Sequence, residues 1–99
     1  MIRADYDSKA NAIAIKLADV EHADYGDPIG DPLSAVVGVA NDRAVEVQIL
    51  HPDLGIEEPL NAAAERYDLD VEALIAAAQA ALAAPDRAIT LDVAVRAAA

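Results

Sequence analysis

The chain has 99 residues, with 18 acidic against 7 basic side chains, a formal net charge of −11, three tyrosines as its aromatic residues and no cysteine. A surface of this charge repels phosphates, which argues against DNA, RNA and anionic membranes as partners, and the lack of cysteine excludes disulfides and thiolate zinc sites. No apolar run approaches the roughly 20 residues of a membrane span, and residues 1–5 lack the charged-then-apolar pattern of a signal peptide, so we expect a soluble, cytoplasmic protein.

Alternation of apolar and polar residues predicts a β-hairpin at the start of the chain. Ile2, Ala4 and Tyr6 share one face of the first strand, and the second strand is predicted from about Ala12 to Leu17. Residues 7–11, between the two strands, are turn formers.

A second hairpin is predicted after an irregular segment. Residues 21–32 contain two prolines and two glycines, which predicts a short edge strand followed by a surface loop. Asn41–Asp42 then tolerates the left-handed backbone of a tight turn. The apolar alternation of the flanking strands consists of Ala35, Val37 and Val39 before the turn and of Val45, Val47 and Ile49 after it.

The apolar period changes to that of two helices beyond Gly55. In the first, Leu60, Ala63, Ala64 and Tyr67 share one side, and Pro59 is predicted at the first helical position. Asp68 or Asp70 caps the second helix, which we expect to run to about Ala84. Its predicted buried stripe consists of Val71, Leu74, Ile75, Ala78 and Leu82. Its other side is almost uncharged and consists of Ala73, Ala76, Ala77, Ala80, Ala83 and Ala84.

A return to period two predicts a closing strand over 88–95, with Ile89, Leu91, Val93 and Val95 on one face. The predicted fold is therefore α+β, an antiparallel sheet of four to five strands with two helices packed on one face. We expect one domain over residues 1–99, made of a β-meander (1–51), a helical hairpin (56–84) and the closing strand.

The first half of the chain carries two runs that point to a known family. Residues 6–15, YDSKANAIAI, combine a Tyr-Asp turn, an asparagine before alanine and an alternating strand, and residues 44–50, AVEVQIL, form a later strand. Together they resemble the small bacterial proteins called domain of unknown function 2283, over residues 1 to about 51. The turn at 41–43 lacks the glycine usual there, and the excursion at 24–32 is longer. The resemblance implies a β-meander, no transferable active site, and a possible pairing with a toxin-like protein.

Few residues lie in a pattern that is typical of a catalytic or metal-binding site. His22 and His51 could share a metal, and His51 and Asp53 follow a strand end where catalytic groups are common, but neither histidine has the spacing of a ligand motif. Asp24, Asp27 and Asp31 could offer oxygen ligands to a hard cation, although their spacing does not match a calcium loop. We therefore predict no catalytic, cofactor-binding or metal-binding residues.

The two helices imitate a helix-turn-helix, but residues 71–84 contain no lysine or arginine with which to contact DNA. The uncharged alanine side of the second helix instead suggests a homodimer interface. The first functional hypothesis is a non-catalytic protein-binding or assembly module, homodimeric and in one version antitoxin-like. The alternative is a small ligand-binding protein or enzyme with a pocket between sheet and helices near His51 and Asp53.

Overall fold

The structure, a computed structural model, describes residues 2–20, 22–30 and 33–91. Within those residues it contains two helices, α1 (Glu57–Tyr67) and α2 (Val71–Ala83), and a single 3-10 turn at Pro52–Leu54. Its strands are β1 (Ile2–Asp7), β2 (Ala12–Lys16), β3 (Tyr25–Ile29), β4 (Ala35–Ala40), β5 (Arg43–Leu50) and β6 (Ala88–Leu91). Neither helix is long and apolar enough to cross a membrane.

The strands form one antiparallel sheet in the order β3-β4-β5-β2-β1-β6. This confirms the α+β class, whereas the predicted count of four to five strands is wrong, because the edge strand and the closing strand both join the same sheet. The part of the predicted closing strand beyond residue 91 lies outside the described residues.

The strand order also departs from a simple β-meander, because β2 lies beside β5 and not beside β3. Pro28 lies within β3 and has no N–H for a sheet hydrogen bond, which restricts this strand to a sheet edge. The chain therefore leaves β2 at the centre of the sheet and reaches the far edge through the segment before β3. Gly38 permits this crossing, since a Cβ atom there would lie 3.3 Å from the Cβ of Ala23.

Local signals in the sequence predict several turns and caps correctly. Asn41 and Asp42 have φ angles of 53° and 62°, as the predicted tight turn requires. The Asp70 side chain accepts a hydrogen bond from the Ala73 N–H at 3.3 Å and caps α2. Helix α1 begins at Glu57, so Pro59 is its third residue and not its first. Pro59 fits there because the first-turn N–H groups have no partner within the helix.

The predicted stripe of α2 packs against the core, but the most deeply buried side of the helix is shifted towards its alanines. Its buried residues are Ala73, Leu74, Ala77, Ala78 and Ala81, while Val71, Ile75 and Leu82 are only half-buried. Ala73 and Ala77, assigned from the sequence to a free surface, therefore lie against the sheet. The small alanine side chains let the helix backbone approach β1 and β2 closely, and the larger residues lie at the margins of this contact.

Both helices share one core with the alternating residues of the sheet. The cluster includes Ile13, Ile15, Val47 and Ile49 from the two central strands and Leu60 from α1. Helix α1 covers β3, β4 and β5, and α2 covers β1, β2 and β6. The helices therefore cover one face of the sheet.

Candidate binding surfaces

A cleft with a volume of about 250 Å³ lies where β5 leads into α1. His51 lines it, whereas Asp53 and His22 are not among the described residues that line it. The Asp53 carboxylate instead accepts a hydrogen bond from the Asn11 side chain at 2.5 Å. The lining consists of Gly30, Leu33, Ser34, Leu50, His51, Leu54, Gly55, Glu58 and Pro59.

The turn between β5 and α1 places a leucine at the mouth of this cleft. His51 has a left-handed backbone with φ at 54°, and Gly55 has φ at 121°. Between these two reversals, the Leu54 N–H donates to the His51 carbonyl at 3.0 Å. The His51 N–H donates in turn to the Asn11 carbonyl at 2.9 Å, which fastens the turn to the first hairpin. Leu54 is 84% exposed as a result.

A charged cluster joins the edge strand β3 to α1. The Asp27 carboxylate accepts hydrogen bonds from the Tyr67 hydroxyl at 2.5 Å and from the Arg66 guanidinium at 3.1 Å. These two donors lower the pKa of Asp27. Burial, together with the hydrogen bond to Asp27, raises the pKa of Tyr67 to about 12. The cluster holds the edge strand against the helix layer.

Two acids of the candidate cation loop have structural partners. Asp27 is engaged by Arg66 and Tyr67, and the Asp24 carboxylate accepts a hydrogen bond from the Asn41 N–H at 3.0 Å. Asp31 lies outside the described residues. Within those residues, no group of three or more histidines, cysteines, aspartates or glutamates is placed to hold a metal ion.

A second carboxylate fastens the end of the helix layer to the first hairpin. Asp86 accepts hydrogen bonds from the backbone N–H of Ser8 at 2.9 Å and from its hydroxyl at 2.7 Å. These donors lower the pKa of Asp86. Hydrogen bonds within the fold account for the lowered pKa of both carboxyl groups, and neither Asp27 nor Asp86 lines the cleft at His51.

The face of the sheet opposite the helices has an unusual charge balance, and we call it the open face. Strand register places rows of outward side chains across this face, and two adjacent rows carry most of its charge. The first row is Ala88, Asp5, Ala14, Gln48 and Val36, and the second is Thr90, Arg3, Lys16, Glu46 and Gly38. These two rows carry two basic and two acidic side chains, and the next outward row, Asp7, Ala12 and Leu50, adds one acid, so the open face is close to neutral in a chain of net charge −11.

The helix layer, in contrast, is strongly acidic. Residues 57–72 contain six acidic side chains and one arginine, a net charge of −5. A second copy of the chain would therefore meet strong repulsion on the helix side and little on the open face. Ala14 lies on β2 near the middle of the first row, whereas the Gly38 end of the second row is covered by Ala23 of the segment before β3.

Comparisons with models of protein families, with curated proteins and with solved structures found no match. The binding surfaces are therefore interpreted from their own chemistry. Sequence reasoning found His51 but missed the open face and the exposed pair Leu33 and Leu54. Outward positions in the strands hinted at the open face, but its two rows exist only once the strand register is known.

Proposed function

We propose that the protein is a non-catalytic, homodimeric binding or assembly module whose two copies join through their open faces. The observation that carries this proposal is the near-neutrality of the open face in a chain that is otherwise strongly acidic. A face with little net charge is the one on which two copies approach with least repulsion.

Twofold symmetry suits the two rows. An axis that runs between them places the first row of one copy over the second row of the other. Asp5 then faces Arg3 of the partner subunit, and Gln48 faces Glu46 of the partner subunit. Each such pairing occurs twice, because the interface of a twofold dimer uses the same patch on both copies.

Residues 1–51 would form a β-sheet unit of the domain of unknown function 2283 kind, and the acidic surface left exposed in the dimer would meet a basic partner protein. An antitoxin-like role is one form of this proposal. The resemblance in the two sequence runs and the acidity of the helix layer support it.

The experiment compares molar masses by light scattering across micromolar concentrations. The wild type should have twice the chain mass of 10.3 kDa. Ala14→Arg places a long side chain at the centre of the open face and should give a monomer. Ala76→Arg makes the same change in charge on the exposed side of α2 and should leave the dimer intact.

Either of two results would contradict the proposal: a monomeric wild type, or a dimer lost in Ala76→Arg and kept in Ala14→Arg. Both variants lower the acidic charge by one, so electrostatic repulsion cannot explain a difference between them. Circular dichroism confirms that each variant is folded.

The alternative of a small ligand-binding protein or enzyme rests on the cleft at His51. Its volume of about 250 Å³ lies below the roughly 300–1,000 Å³ of ordinary small-molecule pockets. Asp53, which was expected to lie near this pocket with His51, accepts a hydrogen bond from Asn11 and does not line the cleft. The cleft therefore supports this alternative less well than the open face supports a dimer.

A further inference from the structure

We propose that the cleft at His51 is a docking site for a basic peptide segment of a partner protein, with one aliphatic side chain of that segment inserted as an anchor. The site is separate from the open face and does not depend on dimerisation.

Exposed apolar side chains mark the entrance to the cleft. Four large hydrophobic residues are exposed among the described residues, and two of them, Leu33 at 47% and Leu54 at 84%, line this cleft. A single exposed leucine is ordinary, but a cluster around a concavity is a binding surface. Pro59 and Leu50 extend the apolar lining inward.

The exposed Leu54 is held in a fixed position. Its 3-10 turn is closed by backbone hydrogen bonds at both ends, from Leu54 to His51 and from Gly55 to Pro52, each at 3.0 Å. The Asn11 carbonyl and side chain bind the same turn from the first hairpin. A partner would therefore lose little conformational entropy in ordering this part of the surface.

The size of the cleft selects what can enter it. About 250 Å³ is too little for a cofactor and enough for an aliphatic side chain with part of its backbone. The Ser34 hydroxyl already donates to the Ile29 carbonyl at 3.3 Å, so the lining adds few free polar groups. An apolar anchor therefore fits the interior.

The acidic charge around the cleft favours basic residues beside the anchor of the partner. Residues 51–58 contain Asp53, Glu57 and Glu58 and no lysine or arginine. Glu58 lines the cleft, and the described residues of the lining include no basic side chain other than His51. Lysine or arginine residues beside the anchor would complement this rim and speed association.

The test uses fluorescence polarisation with a labelled peptide, Lys-Lys-Leu-Lys-Lys-Leu-Lys-Lys, at physiological ionic strength. A matched peptide with alanine in place of leucine measures the non-specific attraction of a basic peptide to an acidic protein. The leucine peptide should bind about tenfold more tightly than the alanine peptide, as expected for burial of a leucine side chain.

Leu54→Ser should abolish that difference, because it removes the apolar contact without changing charge. The matched control is Val20→Ser, at a residue that is 38% exposed and lies outside the cleft, and it should bind like the wild type. Both residues are exposed, so neither substitution should change the melting temperature appreciably.

Equal binding of the two peptides, or full binding by Leu54→Ser, would overturn the inference. The monomeric variant Ala14→Arg should bind the leucine peptide as the wild type does. Failure of the dimer proposal and failure of the docking site are therefore told apart by separate measurements.

Discussion

Replacing Ala77 with leucine should destabilise the fold strongly, because α2 packs against the sheet through its alanines. Ala77 is 0% exposed, and Ala73 and Ala81, one helical turn before and after it, are 5% and 0% exposed. These three side chains follow the line of contact with β1 and β2. Leucine would add three carbon atoms at the centre of that line.

Two opposing effects set how much Ala77→Leu lowers the free energy of unfolding. If space were present, three additional carbons would stabilise the fold by about 2.4 kcal/mol, at roughly 0.8 kcal/mol each. Since the helix is already in contact with the sheet, the carbons force the layers apart or distort rotamers, which costs about 1–3 kcal/mol net. A loss of about 2 kcal/mol lowers the melting temperature of a domain of this size by roughly 8–16 °C.

Thermal and urea denaturation followed by circular dichroism measure this loss. The matched control is Ala76→Leu, at the neighbouring exposed position of the same helix, where the free energy of unfolding should change by no more than about 0.5 kcal/mol. If Ala77→Leu is as stable as the wild type while Ala76→Leu is not, the helix packs with another side, and the proposed orientation of α2 is wrong.

Three further predictions concern local contacts. Asp70→Ala removes the cap on the Ala73 N–H and should lower the free energy of unfolding by about 1 kcal/mol in urea titrations; an unchanged midpoint would contradict the cap. Gly55→Ala should cost about 1–3 kcal/mol, because φ at 121° is strained for any residue with a Cβ, and the same titration checks it. Tyr67→Phe should lower the melting temperature at neutral pH, because Asp27 loses a hydrogen bond. The difference from the wild type should fade below pH 3.8, as Asp27 takes up a proton through its lowered pKa, and also above pH 10, as Tyr67 ionises towards its raised pKa of about 12. A difference independent of pH would contradict the Asp27–Tyr67 contact.

Much of the fold can be predicted from the sequence because the signals are local. Period-two alternation identifies the buried faces of the strands, as with Ile13, Ile15 and Val47. The turn at Asn41–Asp42 and the cap at Asp70 depend on residues within a few positions of each other. The order of the predicted elements, strands followed by two helices and a closing strand, predicted an α+β fold.

Other features depend on contacts between residues far apart in the chain. Nothing local places β5 beside β2, and this pairing sets the register that aligns Arg3 and Lys16 with Glu46 on the open face. The sequence predicted only part of the buried side of α2, because hydrophobicity ranks Val71 above Ala77 while close packing against a sheet favours the smaller residue.

The sequence by itself determined the acidic charge, the alternating strands and the two helices, since each depends on residue type and short-range spacing. Only the tertiary structure decided where that charge is balanced and where leucines cluster. Those features arise from side chains 13 or more positions apart, such as Arg3 with Lys16 and Leu33 with Leu54, brought together by strand pairing and chain reversal. The candidate binding surfaces are therefore properties of the fold.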